Sequence, residues 1–292
     1  MIVQLLAEAR SLRRVRLRIF LTSRPEIPVR YGLSQIPDTE HQDFVLHHIS
    51  PAIVDHDISL FLEYNLGLIG QELCLCDGWP GEETVGHMVR KACGLFIWAA
   101  TACRFIRDGK RFAAKRLDII LHSNDSTSTA PEKHLDEIYT TVLKQSIRPD
   151  FSDEEKEESY RMLKWVLGSL VILFSPLPIY SISRMLCITK ENINLTLEDL
   201  HSILDSPKDP THPIRLHPSF RDFLLNKDRC GDFWVDEKEA HQILATGCIQ
   251  LMFQTLRKDI CEMHAPGIQA SEVESNRIQK CLPPEVQYAC LY

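Results

Sequence analysis

The chain has 292 residues, of which 44% are hydrophobic and 25% charged, a composition typical of a soluble globular protein with two or three domains. Its formal net charge of −7 argues against a general affinity for nucleic acids or anionic membranes. The longest apolar stretch, residues 165–174, is too short to span a bilayer, and no secretory signal pattern opens the chain. We therefore expect a cytoplasmic protein.

Residues 1–52 have the pattern of the end of an α/β unit. A helix is predicted over residues 3–11, a strand over 15–21 and a second strand over 44–49, with at most a short helix between the strands. The first strand ends in Thr22-Ser23-Arg24-Pro25. This placement puts a guanidinium at the carboxyl end of a strand, where open α/β sheets hold their ligands.

Arg24 is therefore the first candidate for a phosphate contact, because an arginine fork matches phosphate oxygens. The alternative is a solvated arginine in a turn before proline. The glycine-rich loop that would cradle a phosphate is missing from the sequence, and the Gly109-Lys110 pair is followed by Arg111 rather than by serine or threonine. On this interpretation the sequence begins partway through a nucleotide-binding domain.

Residues 53–121 are predicted to be helical. Asp57 is expected to cap a helix whose apolar positions share one face, and residues 74–86 are expected to break regular structure. A helix then opens near Thr84, and Gly94 interrupts it. The apolar positions of the first helix are Ile58, Phe61, Leu62, Leu66 and Ile69. Residues 95–106 are apolar almost all round, which predicts a buried helix.

Residues 122–133 are the clearest linker, and residues 134–229 follow with an order typical of a winged helix. The predicted elements are a helix near 134–145, a long helix opened by the cap at Ser152, helices at 181–186 and 195–204, a strand at 214–216 and a short helix from Phe220. Residues 230–292 carry helical signals over 236–256 and then become broken.

His217 is the second candidate residue. It follows the strand at 214–216, and Ser219 with Asp222 has the spacing of a helix cap, so the imidazole lies at a strand-to-helix corner where it could donate to a phosphate. The alternative is a buried structural histidine. Nucleophilic catalysis by Ser219 is disfavoured because the sequence has no orienting acid or oxyanion motif. Phe220, Phe223 and Leu224 are predicted to be core residues.

The ten cysteines are scattered, and Cys74-x-Cys76 is their closest spacing. This spacing predicts free, buried thiols in a reducing compartment and no metal site.

Four motifs in this order resemble those of fungal NACHT-type signalling NTPases, of the STAND class: Phe20-Leu21-Thr22-Ser23-Arg24-Pro25-Glu26, Gly94-Leu95-Phe96-Ile97-Trp98-Ala99, Leu216-His217-Pro218-Ser219-Phe220-Arg221-Asp222-Phe223-Leu224 and Leu282-Pro283-Pro284-Glu285-Val286-Gln287-Tyr288-Ala289-Cys290. The resemblance implies a mainly α fold with an α/β remnant. Residues 1–52 would be the end of a P-loop NTPase sheet, 53–121 a helical lid domain, 122–133 a linker, 134–229 a winged-helix domain and 230–292 the start of a further helical region.

The resemblance also implies a switch that binds ATP or ADP with magnesium in the full-length family and oligomerises when active. Arg24 would sense the terminal phosphate of ATP, and His217 would contact the nucleotide in the ADP state. Gly94 and Phe96 lie where the family carries a Gly-Leu-Pro turn against the adenine. Phe96 replaces that proline, so packing is its preferred role.

The phosphate loop and the acidic magnesium-holding strand are both missing from the sequence, so we expect this chain to bind no cofactor alone and to hydrolyse no ATP. Protein partners or self-association are expected in the intact protein. One alternative is an interaction scaffold that is independent of nucleotide, favoured by the sheet edge expected at 17–21 and 44–49. A second is a winged-helix DNA-binding module, disfavoured because the recognition helix expected within 190–205 is acidic.

Overall fold

The computed structural model describes residues 18–23, 27–34, 36–37, 42, 46, 49–76, 78–122, 131–205, 209, 212–264, 269 and 272–292. Over these residues the protein is mainly α-helical, with fourteen α-helices and one two-stranded antiparallel sheet. The chain divides into a unit of Met1–Ser50 and a second unit of Pro51–Tyr292. None of the described helices combines the length and apolar character needed to cross a membrane.

The helices are, in chain order, α1 (Ile27–Ser34), α2 (Pro51–Glu72), α3 (Glu82–Ala92), α4 (Phe96–Asp108), α5 (Ala113–His122), α6 (Pro131–Gln145), α7 (Asp153–Ile172), α8 (Ile179–Leu186), α9 (Lys190–Glu198), α10 (Pro218–Leu225), α11 (Lys227–Cys230), α12 (Glu237–Thr255), α13 (Ser275–Cys281) and α14 (Pro284–Leu291). Strands β1 (Leu204–Asp205) and β2 (Arg215–Leu216) lie between α9 and α10. Short 3₁₀ turns cover Lys110–Phe112 and Gly231–Phe233.

The first unit does not contain the predicted strand over its described part. Residues 18–23 are irregular, and the Phe20 side chain is 91% exposed. A strand needs a neighbour to satisfy its backbone groups, and the described residues of this unit offer none. Arg24 and most of the predicted strand at 44–49 lie outside the described residues. The part of the connection that is described contains α1, in agreement with the short helix allowed there.

Helices α2, α3 and α4 pack against one another through apolar faces. Ile58, Leu62, Leu66 and Ile69 of α2 are fully buried, which confirms the predicted face. The predicted cap at Asp57 is wrong, because α2 begins at Pro51 and Asp57 lies inside it. Proline fits the first turn of a helix, since its missing N–H would have no partner there.

Helix α4 is the buried helix that the sequence predicted. Seven of its residues are buried: Trp98, Ala99, Thr101, Ala102, Cys103, Phe105 and Ile106. It packs against α2, α3, α5 and α6, so it has neighbours on most sides. Such surroundings require the all-round apolar pattern.

Three helices and a strand pair follow one another in the second half of the chain. Helix α7 starts at the predicted Ser152 cap, and α9 runs five residues earlier than predicted because the Thr189 side chain caps it. Strand β1 pairs with β2 in the register Leu204↔Leu216 and Asp205↔Arg215. Helix α9 packs on α7 and α8.

Helix α12 joins the C-terminal helices to this part of the core, since it packs against α7, α8 and α14. Its N-cap is Asp236, as the predicted start near residue 236 requires. Helix α14 buries the Glu285 carboxylate, which accepts hydrogen bonds from the Ser181 hydroxyl and the Arg184 guanidinium, both at 2.7 Å. Phe220, Phe223 and Leu224 are fully buried, in agreement with the core prediction.

Candidate functional site around His217

His217 lies between β2 and α10 and is the N-cap residue of α10. Its backbone is extended (φ −67°, ψ 138°), and Pro218 occupies the first helical position. The ring atom Nδ1 accepts a hydrogen bond from the Ser219 backbone N–H at 3.3 Å. The predicted cap by Ser219 is therefore wrong: the imidazole itself satisfies a backbone donor of the first turn.

A chain of three hydrogen-bonding side chains runs from this cap into the core. The Ser219 hydroxyl oxygen lies 2.6 Å from His217 Nδ1, and the Tyr139 hydroxyl oxygen lies 2.8 Å from the Ser219 hydroxyl. Because Nδ1 already accepts from a backbone N–H, it carries no hydrogen. Ser219 then donates to Nδ1 and Tyr139 donates to Ser219, and the neutral imidazole carries its hydrogen on Nε2.

Tyr139 fixes the buried end of this chain. It is 1% exposed, and its ring packs against Phe220 and Phe223 with centroid distances of 4.9 Å and 5.5 Å. Burial raises the pKa of the Tyr139 phenol, and its hydrogen bond with Ser219 opposes that rise. The phenol is thus protonated at neutral pH and able to donate, as the hydrogen-bond assignment requires.

His217 is an exposed residue, which excludes the alternative of a buried structural histidine. An imidazole with hydrogen on Nε2 is a donor, and the N-terminus of a helix favours negative charge. A hydrogen on Nε2 is the kind of donor that an anionic oxygen accepts.

Two arginines, Arg229 of α11 and Arg221 of α10, join the helices around this chain to their neighbours. Arg229 donates to both carboxylate oxygens of Asp136 on α6, at 2.9 Å and 2.7 Å. Arg221 of α10 donates through Nε to the Val171 carbonyl, near the C-terminal end of α7, at 2.9 Å. The first contact joins α6 to α11, which follows α10 directly along the chain, and the second joins α10 to α7.

Gly94 and Phe96 form a separate feature at the junction of α3 and α4. Gly94 has φ +78° and follows Cys93 at φ +47°, so the chain turns through two residues in the left-handed conformation, which glycine adopts most easily. Phe96 is half-exposed, and its ring meets Phe61 edge to face at 6.0 Å. Among the described residues neither Gly94 nor Phe96 has a hydrogen bond or ring contact to His217.

The sequence did not single out Tyr139, although it anchors the site. Tyr139 and Ser219 are eighty residues apart, and no spacing rule connects them. In the sequence, Tyr139 lies on the apolar face of the predicted helix at 134–145. This position predicts that Tyr139 is buried, but not that its hydroxyl donates a hydrogen bond.

All ten cysteines are free thiols, but the prediction that they are buried is wrong for most of them. Cys103, Cys230 and Cys248 are buried, whereas Cys74, Cys76, Cys187 and Cys290 are exposed. Burial raises the pKa of Cys103 to about 12 and that of Cys230 to about 11, so neither is a reactive thiolate at neutral pH. The described residues contain no cluster of three or more side chains suited to hold a metal ion.

No protein-family model matches the chain, and no curated protein matches it either. The site around His217 and the sequence motifs are therefore the basis for assigning a function.

Proposed function

We propose that this chain is the sensing and lid part of a nucleotide-controlled signalling switch of the NACHT type, with His217 as the residue that detects a bound phosphate. The observation that carries the proposal is the hydrogen-bond chain from Tyr139 through Ser219 to His217, which holds an exposed imidazole with its hydrogen on Nε2. A neutral donor held in this way suits a diphosphate oxygen.

The order of elements supports the same proposal. Helices α7, α8 and α9 are followed by the β1–β2 pair, which is the order of a winged helix, and α2–α5 precede it as a helical lid domain would. In this assignment the linker at 122–133 separates the two domains, and 230–292 begins a further helical region. Arg24 lies outside the described residues, and its role as the second phosphate sensor is part of the proposal.

The chain is proposed to regulate rather than to catalyse. Positioning of the phosphates and of magnesium supplies nearly all the catalysis in phosphoryl transfer, and the sequence contains neither the phosphate loop nor the paired carboxylates. Purified protein is expected to release no phosphate from ATP in the presence of magnesium. Turnover that the Arg24→Ala variant abolishes would contradict this assignment.

The charge of helix α9 argues against the DNA-binding alternative. Helix α9, at the position of a recognition helix, carries Lys190 against Glu191 and Glu198, and contact with DNA phosphates needs the opposite sign. The nucleotide-independent scaffold is the stronger rival, because it needs no phosphate contact at His217. A test must therefore separate the scaffold from the sensor.

The test joins the phosphate-loop half of an intact NACHT-type protein ahead of residue 18 and measures release of a fluorescent ADP in the presence of magnesium. His217→Asn retains a side chain that caps α10 but loses the Nε2 donor, and Asn is among the best N-cap residues. A hydrogen bond to a charged group contributes about 1.5–3 kcal/mol, so ADP should bind roughly tenfold to a hundredfold more weakly.

The matched control is His212→Asn, at an exposed histidine that pairs with Asp209 and lies outside the α10 cap. ADP affinity is expected to be unchanged in this control. Equal ADP affinity in the parent and His217→Asn chimeras would exclude His217 as a sensor. A chimera that binds no ADP at all would favour the scaffold.

A further inference from the structure

Two cysteines, Cys261 and Cys281, lie side by side between the end of α12 and the start of α14. Both are half-buried, and both are free thiols. Burial raises the pKa of the Cys261 thiol, and the Cys281 thiol raises it further through its charge and through a side-chain hydrogen bond. The pKa values of Cys103, Cys230 and Cys248 are also raised, but no cysteine contributes to those shifts. Among the described thiols with a raised pKa, Cys261 is thus the one that has a second thiol beside it.

Cys261 lies in a turn, residues 259–264, that is held in shape by its own hydrogen bonds. The Asp259 carboxylate accepts from the backbone N–H groups of Met263 and His264, at 2.8 Å and 2.9 Å. These bonds join the chain before Cys261 to the chain after it. They therefore hold the backbone that carries its thiol.

Helix α13 contacts this turn with one face. Arg277 donates to the Glu262 carbonyl at 2.8 Å, and Glu262 follows Cys261 directly. Arg277 and Cys281 are four residues apart on α13, so they share a face of the helix. The hydrogen bond of Arg277 and the pair of thiols therefore join the same helix face to the same turn. A disulfide requires two backbones that face each other at short range, and this arrangement brings them together.

We propose that Cys261 and Cys281 are a peroxide-sensitive dithiol, and that their disulfide ties α13 to the 259–264 turn. Two neighbouring thiols can give up two electrons to a peroxide and join, and a thiol reductant reverses the reaction. In a reducing compartment such a bond forms only while oxidant is present, and disulfides of this kind are usually redox-sensing.

The oxidation consumes one peroxide molecule and two electrons from the thiols. Because its raised pKa keeps Cys261 protonated at neutral pH, we assign the first attack to Cys281. The Cys281 sulfur attacks a peroxide oxygen, the O–O bond breaks, and the products are a sulfenic acid and one water. The Cys261 sulfur then attacks the sulfenic sulfur and the S–O bond breaks. The hydroxide leaves with the Cys261 proton as a second water.

The disulfide would act on α14, which follows α13 almost directly along the chain. Helix α14 packs against α8 and α12. Its buried Glu285 carboxylate accepts hydrogen bonds from Ser181 and Arg184 of α8, and undocking of α14 must break them. A bond at Cys281 shortens the free chain between α12 and α14, so less entropy is gained when α14 undocks. We therefore expect oxidation to hold α14 against α8. Neither step depends on nucleotide sensing by His217, and the two proposals can fail separately.

The experiment oxidises the full chain with hydrogen peroxide, blocks the remaining thiols and digests the protein with trypsin. Trypsin leaves Cys261 in peptide 259–277 and Cys281 in peptide 281–292. The second peptide also contains Cys290, so the parent protein and all variants carry Cys290→Ser. Mass spectrometry should detect the two peptides joined, and treatment with dithiothreitol should separate them.

Cys261→Ser and Cys281→Ser should each abolish the joined peptide. The matched control Cys187→Ser removes an exposed thiol elsewhere and should leave the yield of that peptide unchanged. The oxidised parent should unfold at a temperature roughly 5 °C or more above the reduced parent, because a disulfide constrains the unfolded chain. The backbone amides of α14 should exchange with solvent more slowly in the oxidised parent, and peroxide should not slow them in Cys261→Ser.

A joined peptide, together with the thermal shift and slower exchange in α14, would support the proposal. Oxidation of the two thiols without a bond between them would overturn it, as would a bond from Cys261 to any other cysteine. A joined peptide with unchanged exchange in α14 would overturn the proposed hold on that helix. Circular dichroism checks that the serine variants are folded, and Cys261→Ala and Cys281→Ala repeat the test if they are not.

Discussion

The first backbone N–H groups of helices α7 and α10 have no acceptor within their own helix. At the two helices, different kinds of side chain accept hydrogen bonds from these groups. At α7 the Ser152 hydroxyl accepts from the Glu155 N–H at 3.3 Å, and the Glu155 carboxylate accepts from the Ser152 N–H at 2.7 Å. At α10 a single imidazole nitrogen accepts from the Ser219 N–H. The first cap is local and exposed, whereas the second continues through Ser219 to the buried Tyr139.

This difference separates a structural cap from a candidate sensor. The α7 cap is formed by residues within one turn of helix, so its hydrogen bonds do not connect α7 to another helix. The α10 cap ties an exposed ring to a tyrosine that is packed against Phe220 and Phe223. In the proposed sensor, a ligand bound at His217 would act on a hydrogen-bond chain that reaches α6.

The largest expected effect tests the buried end of the α10 chain. Tyr139→Ala removes a fully packed ring and should lower the free energy of unfolding by about 3–5 kcal/mol, as other large buried aromatics do. Urea unfolding followed by circular dichroism measures it. Tyr180→Ala, at an exposed tyrosine on α8, should change stability by well under 1 kcal/mol. Similar values for both variants would refute the anchoring role of Tyr139.

The next effect tests the cap itself. His217→Ala should cost about 1 kcal/mol of unfolding free energy, the usual loss for an N-cap residue, and Ser152→Ala at α7 should cost about the same. His217→Asn should restore most of the loss because the amide oxygen can replace Nδ1. If Asn destabilised the protein as much as Ala, the cap would not be the structural role of His217. Urea unfolding midpoints of the parent, His217→Ala, His217→Asn and Ser152→Ala proteins measure these changes in stability.

These two caps also show what the sequence could predict. Ser152 with Glu155 and Ser219 with Asp222 have the same capping-box spacing, and only the first forms the box. The difference arises because His217 precedes Pro218, so the helix starts two residues earlier and the imidazole reaches the first turn. Several side chains near the start of a helix can act as its cap, and sequence spacing alone does not predict that a histidine will do so.

Helix existence was easier to predict than helix limits or distant contacts. The apolar pattern of α4 and the one-sided pattern of α2 followed directly from periodicity. The predicted cap at Asp57 was wrong because a proline six residues earlier also starts a helix. The contact between Tyr139 and Ser219 could not be predicted, because it depends on how α6 and α10 pack, which local patterns do not encode.

A smaller effect is expected from the phenol hydroxyl alone. Tyr139→Phe keeps the ring and removes the donor to Ser219, so the unfolding free energy should fall by about 0.5–1.5 kcal/mol, the net contribution of one hydrogen bond. It should also release Ser219 from its orientation toward Nδ1. Nitrogen NMR of His217 should show a single tautomer with hydrogen on Nε2 in the parent protein and a mixture of tautomers in the variant. A single unchanged tautomer would mean that the backbone N–H of Ser219 orients the ring without help from Tyr139.

The smallest effect concerns pH and belongs to α7. The hydrogen bonds from the Ser152 backbone N–H and from its hydroxyl hold the pKa of Glu155 below its ordinary value. A carboxylate with a lowered folded pKa stabilises the protein above its unfolded pKa, and this contribution is lost as the pH falls through the folded pKa. Glu155→Gln keeps the box geometry without the charge, so the parent should exceed this variant slightly in stability at pH 7 and lose the advantage by pH 3. Glu154→Gln removes a charge from the same helix turn, at a residue that takes no part in the cap hydrogen bonds. The difference in stability between this variant and the parent should therefore change less with pH. An equal pH dependence in both variants would assign the effect to the helix dipole, and the reciprocal hydrogen bond of the α7 cap would then be energetically silent.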